Sequence, residues 1–222
     1  MECKHLHVSI VIITYMKNIV PLLFILLSFA TARAQNATPP RGSSYQDSVR
    51  SNSATEGKTI IVNGDPMNTA KDFVENLTTS KSHTLFLASL RAASLVGTFK
   101  SRGPLTVFVP SDTAFTQKLG KKLDTLIKPA HKYELINILS YHVVPGHYTA
   151  KELNKLIKVG KGEASLLTLS GSKLIARIDA NRNIILYDET GGQSIVNQFD
   201  IVQSNGIMHL ATQVLIPKDR AL

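Results

Sequence analysis

Cysteine is almost absent from this chain, and its single copy, Cys3, stands at the extreme N-terminus. The rest of the sequence is therefore without disulfides, a thiol nucleophile or a cysteine metal site. Stability has to come from an apolar core, which a chain of 222 residues is long enough to build. Tryptophan is missing and aromatic residues make up only 6% of the chain, so its basic residues are not interleaved with rings able to stack on bases. Neither G-x-S-x-G nor G-x-x-x-x-G-K-[ST] occurs, which removes the usual sequence supports for a serine-hydrolase elbow and for a phosphate loop. The apolar run Ile19 to Ala30 holds twelve residues, fewer than the roughly 17 to 25 of a membrane-spanning helix.

That run follows Lys17 and precedes the small-residue site Ala32-Arg33-Ala34, the layout of a secretory signal peptide cleaved after Ala34. A start at Met16 rather than Met1 gives the more usual signal length. Residues 1–34 are thus expected to be a signal peptide, and residues 35–58, rich in Ser, Asn, Thr, Gly and Pro, a disordered polar linker. One globular unit is expected over 59–218, with 219–222 as a tail and no transmembrane span after cleavage. The expected location is secreted, periplasmic or cell-surface. The formal charge of +9 favours acidic partners such as anionic polysaccharide. The lysines are nevertheless scattered (Lys100, Lys118, Lys121, Lys122, Lys151, Lys155, Lys158, Lys161), which reads as a solvated face with no specific nucleic-acid site.

The first half of the unit has helical periodicity. Asn68 or Thr69 is placed to cap a helix through Leu77, and Thr84 to Leu95 sets Phe86, Leu90 and Ala93 on one face before Gly97. Leu105 to Val109 reads as a strand ended by Pro110, after which Ser111 caps a helix burying Phe115 and Leu119. Pro129 opens a helix with Leu135, Ile138, Leu139 and His142 on one side, stopped by Pro145-Gly146. Thr149 and Glu152 form a capping box. The second half changes to period two: strands at Leu174 to Asp179 and Ile184 to Tyr187, then a hairpin folded at Asn205-Gly206 through a type I′ turn. Helices followed by a strand meander predict an α+β fold, a compact antiparallel β-sandwich or curled sheet with helices packed on it.

Few residues point to chemistry. His142 and His147 straddle Pro145-Gly146, so no helix face holds them as a metal pair, and no metal or cofactor is expected. His142 reads as a core or boundary histidine bonded to backbone. Asp200, Ser204 and His209 crowd one hairpin, but without an elbow or oxyanion donors they make no triad, and no catalytic residue is assigned. Asp188-Glu189 reads as a solvated turn. Asn36 and Asn76 match the N-glycosylation pattern.

Two segments carry a resemblance. Thr106-Val107-Phe108-Val109-Pro110-Ser111-Asp112-Thr113-Ala114-Phe115 and Asn205-Gly206-Ile207-Met208-His209-Leu210, running on to Pro217, resemble the two signatures of the fasciclin-like family, with Tyr141-His142 between them. The resemblance spans about Thr69 to Pro217, and its signature residues are Thr106, Phe108, Pro110, Asp112, Phe115, Asn205, Gly206, His209 and Pro217. It implies a fasciclin-like fold in a secreted single-domain protein of bacterial kind. The implied work is adhesion or binding to an extracellular protein or polysaccharide, without enzyme activity and without a cofactor. By the same resemblance, Tyr141, His142, Asp200 and Ile201 are the binding residues, since adhesion of animal members has been attributed to the Tyr-His and Asp-Ile segments. The competing readings are packing for all four residues, a glycan-active enzyme, and a carrier of a small apolar ligand with a pocket beside His142.

Overall fold

The computed structural model describes residues 57–218. The expected signal peptide, most of the linker and the tail lie outside them. The described chain begins with a hairpin, β1 (Thr59–Val62) and β2 (Asp65–Asn68), followed by three helices, α1 (Phe73–Thr79), α2 (Thr84–Ala92) and α3 (Val96–Ser101). Then come β3 (Leu105–Pro110), α4 (Asp112–Leu119), α5 (Lys122–Leu126), a 3-10 turn at Pro129–His131, α6 (Lys132–Tyr141), β4 (Val143–Pro145) and α7 (Ala150–Val159). The last five strands are β5 (Glu163–Leu167), β6 (Lys173–Ile178), β7 (Ile184–Tyr187), β8 (Gln193–Gln203) and β9 (Gly206–Ala211).

Seven strands form one sheet in the order β4-β3-β9-β8-β7-β6-β5. The α+β class holds, but the sheet is mixed rather than wholly antiparallel, because β3 runs parallel to β9 with Leu105 opposite Gly206 and Pro110 opposite Ala211. Every residue of both strands is buried. Leu105, Val107, Val109, Met208 and Leu210 join one core with the helices α1, α2, α4 and α6. Phe108 and Ala211 face a second core with α7 and the strands β5 to β7. A parallel pair covered on both faces reads as a continuous apolar run, which is why these two segments show no alternation. The sheet curls until its edges nearly meet: Leu169 N–H, just after β5, donates to Val143 O of β4 at 2.8 Å.

Local chemistry sets most boundaries. Ser111 caps α4, and Thr149 with Glu152 closes the capping box of α7, as the sequence indicates. The cap of α1 is Asp72, boxed with Glu75, so the helix begins later than Asn68 or Thr69 would place it. Asn68 instead ends β2, and its side chain bonds Gly57 O, Thr59 Oγ1 and Ala70 N. Ser94 takes a left-handed φ of 60° that breaks α2 from α3, so Gly97 lies inside a helix rather than ending one.

The N-terminus of α2 is capped from outside. Its own N-cap, His83, makes no side-chain capping bond. Asp112 of α4 does this instead, accepting from Thr84 Oγ1 at 2.6 Å and from Leu85 N–H at 2.8 Å. This gives the signature aspartate a structural task, docking two helices whose Phe86 and Phe115 meet edge to face at 6.2 Å. Asp112→Ala is expected to cost about 1–2 kcal/mol, the range of a lost helix cap, read as a lower urea midpoint with an unchanged slope.

Candidate functional site

The Tyr-His segment ends α6, and both side chains are fully enclosed. Tyr141 donates its hydroxyl to Lys173 O at 2.8 Å and accepts Glu189 N–H at 3.2 Å. Burial pushes its pKa up. His142 Nδ1 donates to Ile138 O at 2.8 Å, while Nε2 accepts Leu215 N–H at 3.0 Å. Those two roles fix one neutral tautomer, and burial pushes the imidazole pKa down to about 4.

The partner of His142, Leu215, belongs to the segment after β9. Residues 214–218 are not a strand continuing the hairpin, as the apolar pattern suggests, because side chains rather than a ladder satisfy their backbone. Leu215 N–H reaches His142, Ile216 N–H reaches Asp188 Oδ2 at 3.0 Å, and Lys218 N–H reaches Glu189 Oε2 at 3.0 Å. Pro217 is buried within this strap. Asp188 is correspondingly no solvated turn residue: it is 8% exposed, and its Oδ1 accepts from Thr190 N, Thr190 Oγ1 and Gly192 N. Burial at this position requires those donors. The sequence signal was the spacing of Asp188 from Gly192, which lets one carboxylate gather the amides of its own turn.

The Asp-Ile pair lies at a bulge. Gln198 pairs with Leu210 and Ile201 with Met208, so Phe199 and Asp200 both stand opposite His209. Ile201 is buried in the first core. Asp200 is exposed and takes a left-handed φ of 59°. Two bonds hold it there: its Oδ1 accepts Ala150 N–H at 2.8 Å, and its own N–H donates to His209 Nδ1 at 3.2 Å. His209, buried, stacks on Phe108 at 5.5 Å and bonds Tyr148 O through Nε2 at 2.8 Å. Burial holds its pKa below the ordinary histidine value. With both nitrogens engaged by backbone, His209 is not arranged as a general base for Ser204, whose N–H donates to Lys71 O.

The remaining signature residues tie segments together. Thr106 Oγ1 donates to Gly146 O and accepts Tyr148 N–H, both at 2.8 Å. Asn205 Oδ1 accepts Phe73 N–H at 3.3 Å, and its Nδ2 donates to Phe99 O at 2.5 Å. The type I′ turn is not formed at Asn205-Gly206. Gln203 pairs with Gly206, which makes Ser204-Asn205 the loop, and Asn205 does not adopt a positive φ. Gly206 is required for close approach, since a Cβ there would lie 2.0 Å from Leu105 O.

Asn76 is buried, bonded to both backbone groups of Asn68 and to Gln203 Oε1, so in the folded protein it is closed to glycan attachment. Asn36 lies outside the described residues. Among the described residues no cluster of His, Cys, Asp and Glu could hold a metal ion, and no helix is long and apolar enough to cross a membrane. A further concavity runs beside α7: an open groove of about 1150 Å³ lined by Lys151, Lys155, Lys158 and Arg182, with Thr149 and Asn154 among its polar groups.

Residues 81–217 match the Fasciclin domain family. The chain is 29% identical over 163 residues to the Synechocystis protein sll1483, covering 73% of this chain and 83% of that protein. It is 30% identical over 149 residues to sll1735 of the same organism, covering 65% and 97%. Human periostin is 29% identical over 150 residues, 67% of this chain but 16% of periostin. Among solved structures, a FAS1 domain pair from the insect cell adhesion molecule Fasciclin I superposes with a TM-score of 0.58 at 18% identity, over 66% of this chain and about half of that one. That superposition establishes the shared fold. With the family match spanning both signature segments, the chain belongs to the Fasciclin domain family.

Proposed function

We propose that this protein is an exported adhesion or binding module that recognises an extracellular protein or polysaccharide by non-covalent contacts centred on Asp200. The observation that carries the reading is the display of that carboxylate. Asp200 is an exposed acid in a left-handed conformation on a strand bulge, held by Ala150 from one side and by a buried histidine from the other. Non-glycine residues in that conformation cost about 1–3 kcal/mol and concentrate at functional positions. Tyr141, His142 and Ile201 serve this surface from within, as scaffold, because all three are buried. Kinship with adhesion proteins and the signal-like N-terminus support export to the cell surface or periplasm, the mature chain beginning at Gln35.

The test is a matrix-protein and glycan array probed with the cleaved protein and with Asp200→Asn. Asparagine tolerates the left-handed conformation and keeps the oxygen that accepts Ala150 N–H, so charge is removed while the fold persists. At least one interaction is expected to weaken by roughly thirtyfold, the scale of an interface hot spot. Unchanged binding across the array, with an unchanged circular dichroism spectrum, would assign Asp200 to the scaffold.

A further inference from the structure

Three of the lysines that look scattered in the sequence, Lys151, Lys155 and Lys158, meet Arg182 at the groove beside α7, and we infer that this groove is a docking site for an acidic polysaccharide. The inference rests on the reading of the domain as an extracellular binding module and extends it to a groove adjoining Asp200, which accepts Ala150 N–H between the groove residues Thr149 and Lys151. Lys151, Lys155 and Lys158 are spaced by four and three residues, which puts them on one face of α7. At the helical rise they span roughly 10 Å. Arg182, exposed in the β6–β7 turn, adds a fourth cation to the lining. None of the four forms an ion pair among the described residues. Three acids stand against these cations, each holding backbone donors: Glu152, itself part of the lining, accepts Thr149 N–H and Oγ1, Asp179 accepts from Asn183 N and Nδ2, and Asp200 accepts Ala150 N–H.

The chemistry of the walls selects the occupant. The groove is lined without an aromatic ring, so it offers no platform for stacked bases. Both strands beside it, β6 and β7, are already paired on either edge, so a peptide backbone would find no open ladder to join. A row of cations, the amide of Asn154, the hydroxyl of Thr149 and the aliphatic surfaces of Val159 and Ile178 together fit a chain that carries regular carboxylates or sulfates, ring hydroxyls and C–H faces. The volume of about 1150 Å³ suits a segment of polymer rather than one small molecule.

The experiment compares the cleaved wild-type protein, the groove variant K151Q/K155Q/K158Q, the variant R182Q and a control, K118Q/K121Q/K128Q, which removes the same charge elsewhere. Each is titrated against alginate, heparin and neutral dextran, and against an oligonucleotide and anionic lipid vesicles. Wild type is expected to bind alginate or heparin, weakening with added salt, and to ignore dextran. The groove variant should lose roughly tenfold or more in affinity and R182Q several-fold, with the control changed by less than about twofold. Equal losses in the groove variant and the control would reduce the effect to net charge and overturn the inference. Groove-dependent binding of the oligonucleotide or the vesicles in place of the polysaccharides would overturn the occupant. If no polyanion binds while the array yields an Asp200-dependent partner, this inference fails and the adhesion reading stands; if neither binds, both fail.

Discussion

Gly206→Ala is expected to destabilise the fold by about 4 kcal/mol, near the upper end of single substitutions. A Cβ at this position would sit 2.0 Å from Leu105 O, 2.8 Å from Leu105 N and 2.9 Å from Leu105 C. All three are backbone atoms of β3, which is buried on both faces and locked to β9 by the ladder that starts at this residue. No side chain can swing aside, so one methyl group requires two strands to separate. Gly191→Ala is the contrast. Its φ is 86° with open space around the added atom, so only the backbone preference is lost, about 1–2 kcal/mol. Urea denaturation of the two variants measures the difference, and equal losses would show that conformation rather than close approach governs Gly206.

The second large effect is a loss of stability in mild acid. His142 is neutral in the fold with its pKa pushed down to about 4, against an ordinary value of 6.5. The unfolded chain therefore binds a proton that the folded chain refuses, and stability rises with pH across that interval. The contribution is fully present above about pH 6.5 and is lost as pH falls toward 4, amounting to about 3 kcal/mol for this residue. Phe86 packs against the ring at 6.2 Å, and only the attraction of Asp188 and the acceptor Ile138 O favour the proton, neither enough to offset burial. His83 and His209 are held low by burial as well, so they add in the same direction. The urea midpoint should fall markedly between pH 7 and pH 4.5. His142→Gln should be less stable at pH 7 yet show a shallower fall, and parallel profiles would remove His142 as the cause.

The helices that cap themselves were legible in the sequence, because the information is local: Ser111, and Thr149 with Glu152, act within three residues of where they stand. The family signatures were legible for the opposite reason, being pieces of one buried pair, β3 and β9, that leave long apolar runs. Three other features were hidden. The Asn-Gly rule was sound but belonged to a different pair: Asn63-Gly64, with φ of 50° and 86°, turns the β1–β2 hairpin, whereas at Asn205-Gly206 the glycine answers a strand a hundred residues away. Pro145-Gly146 masked β4, since a strand of three residues takes its register from β3 alone. Of the expected binding residues, Tyr141, His142 and Ile201 lie inside and Asp200 outside, a distinction that depends on a bulge no local pattern announces. The α7 groove was hidden likewise, because Arg182 joins the three lysines only after β6 and β7 have paired.

The parallel pairing of β3 with β9 has a consequence for the order in which the protein can be made. An interior strand of the sheet is encoded about a hundred residues after its neighbour β3, so during synthesis a gap stays open beside β3 until Ile207 to Ala211 have left the ribosome. Up to that moment the nascent polypeptide has no finished interior to collapse around, and contacts between such distant segments form slowly. The domain can close its sheet only once β9 has been made, whatever else the chain has formed by then.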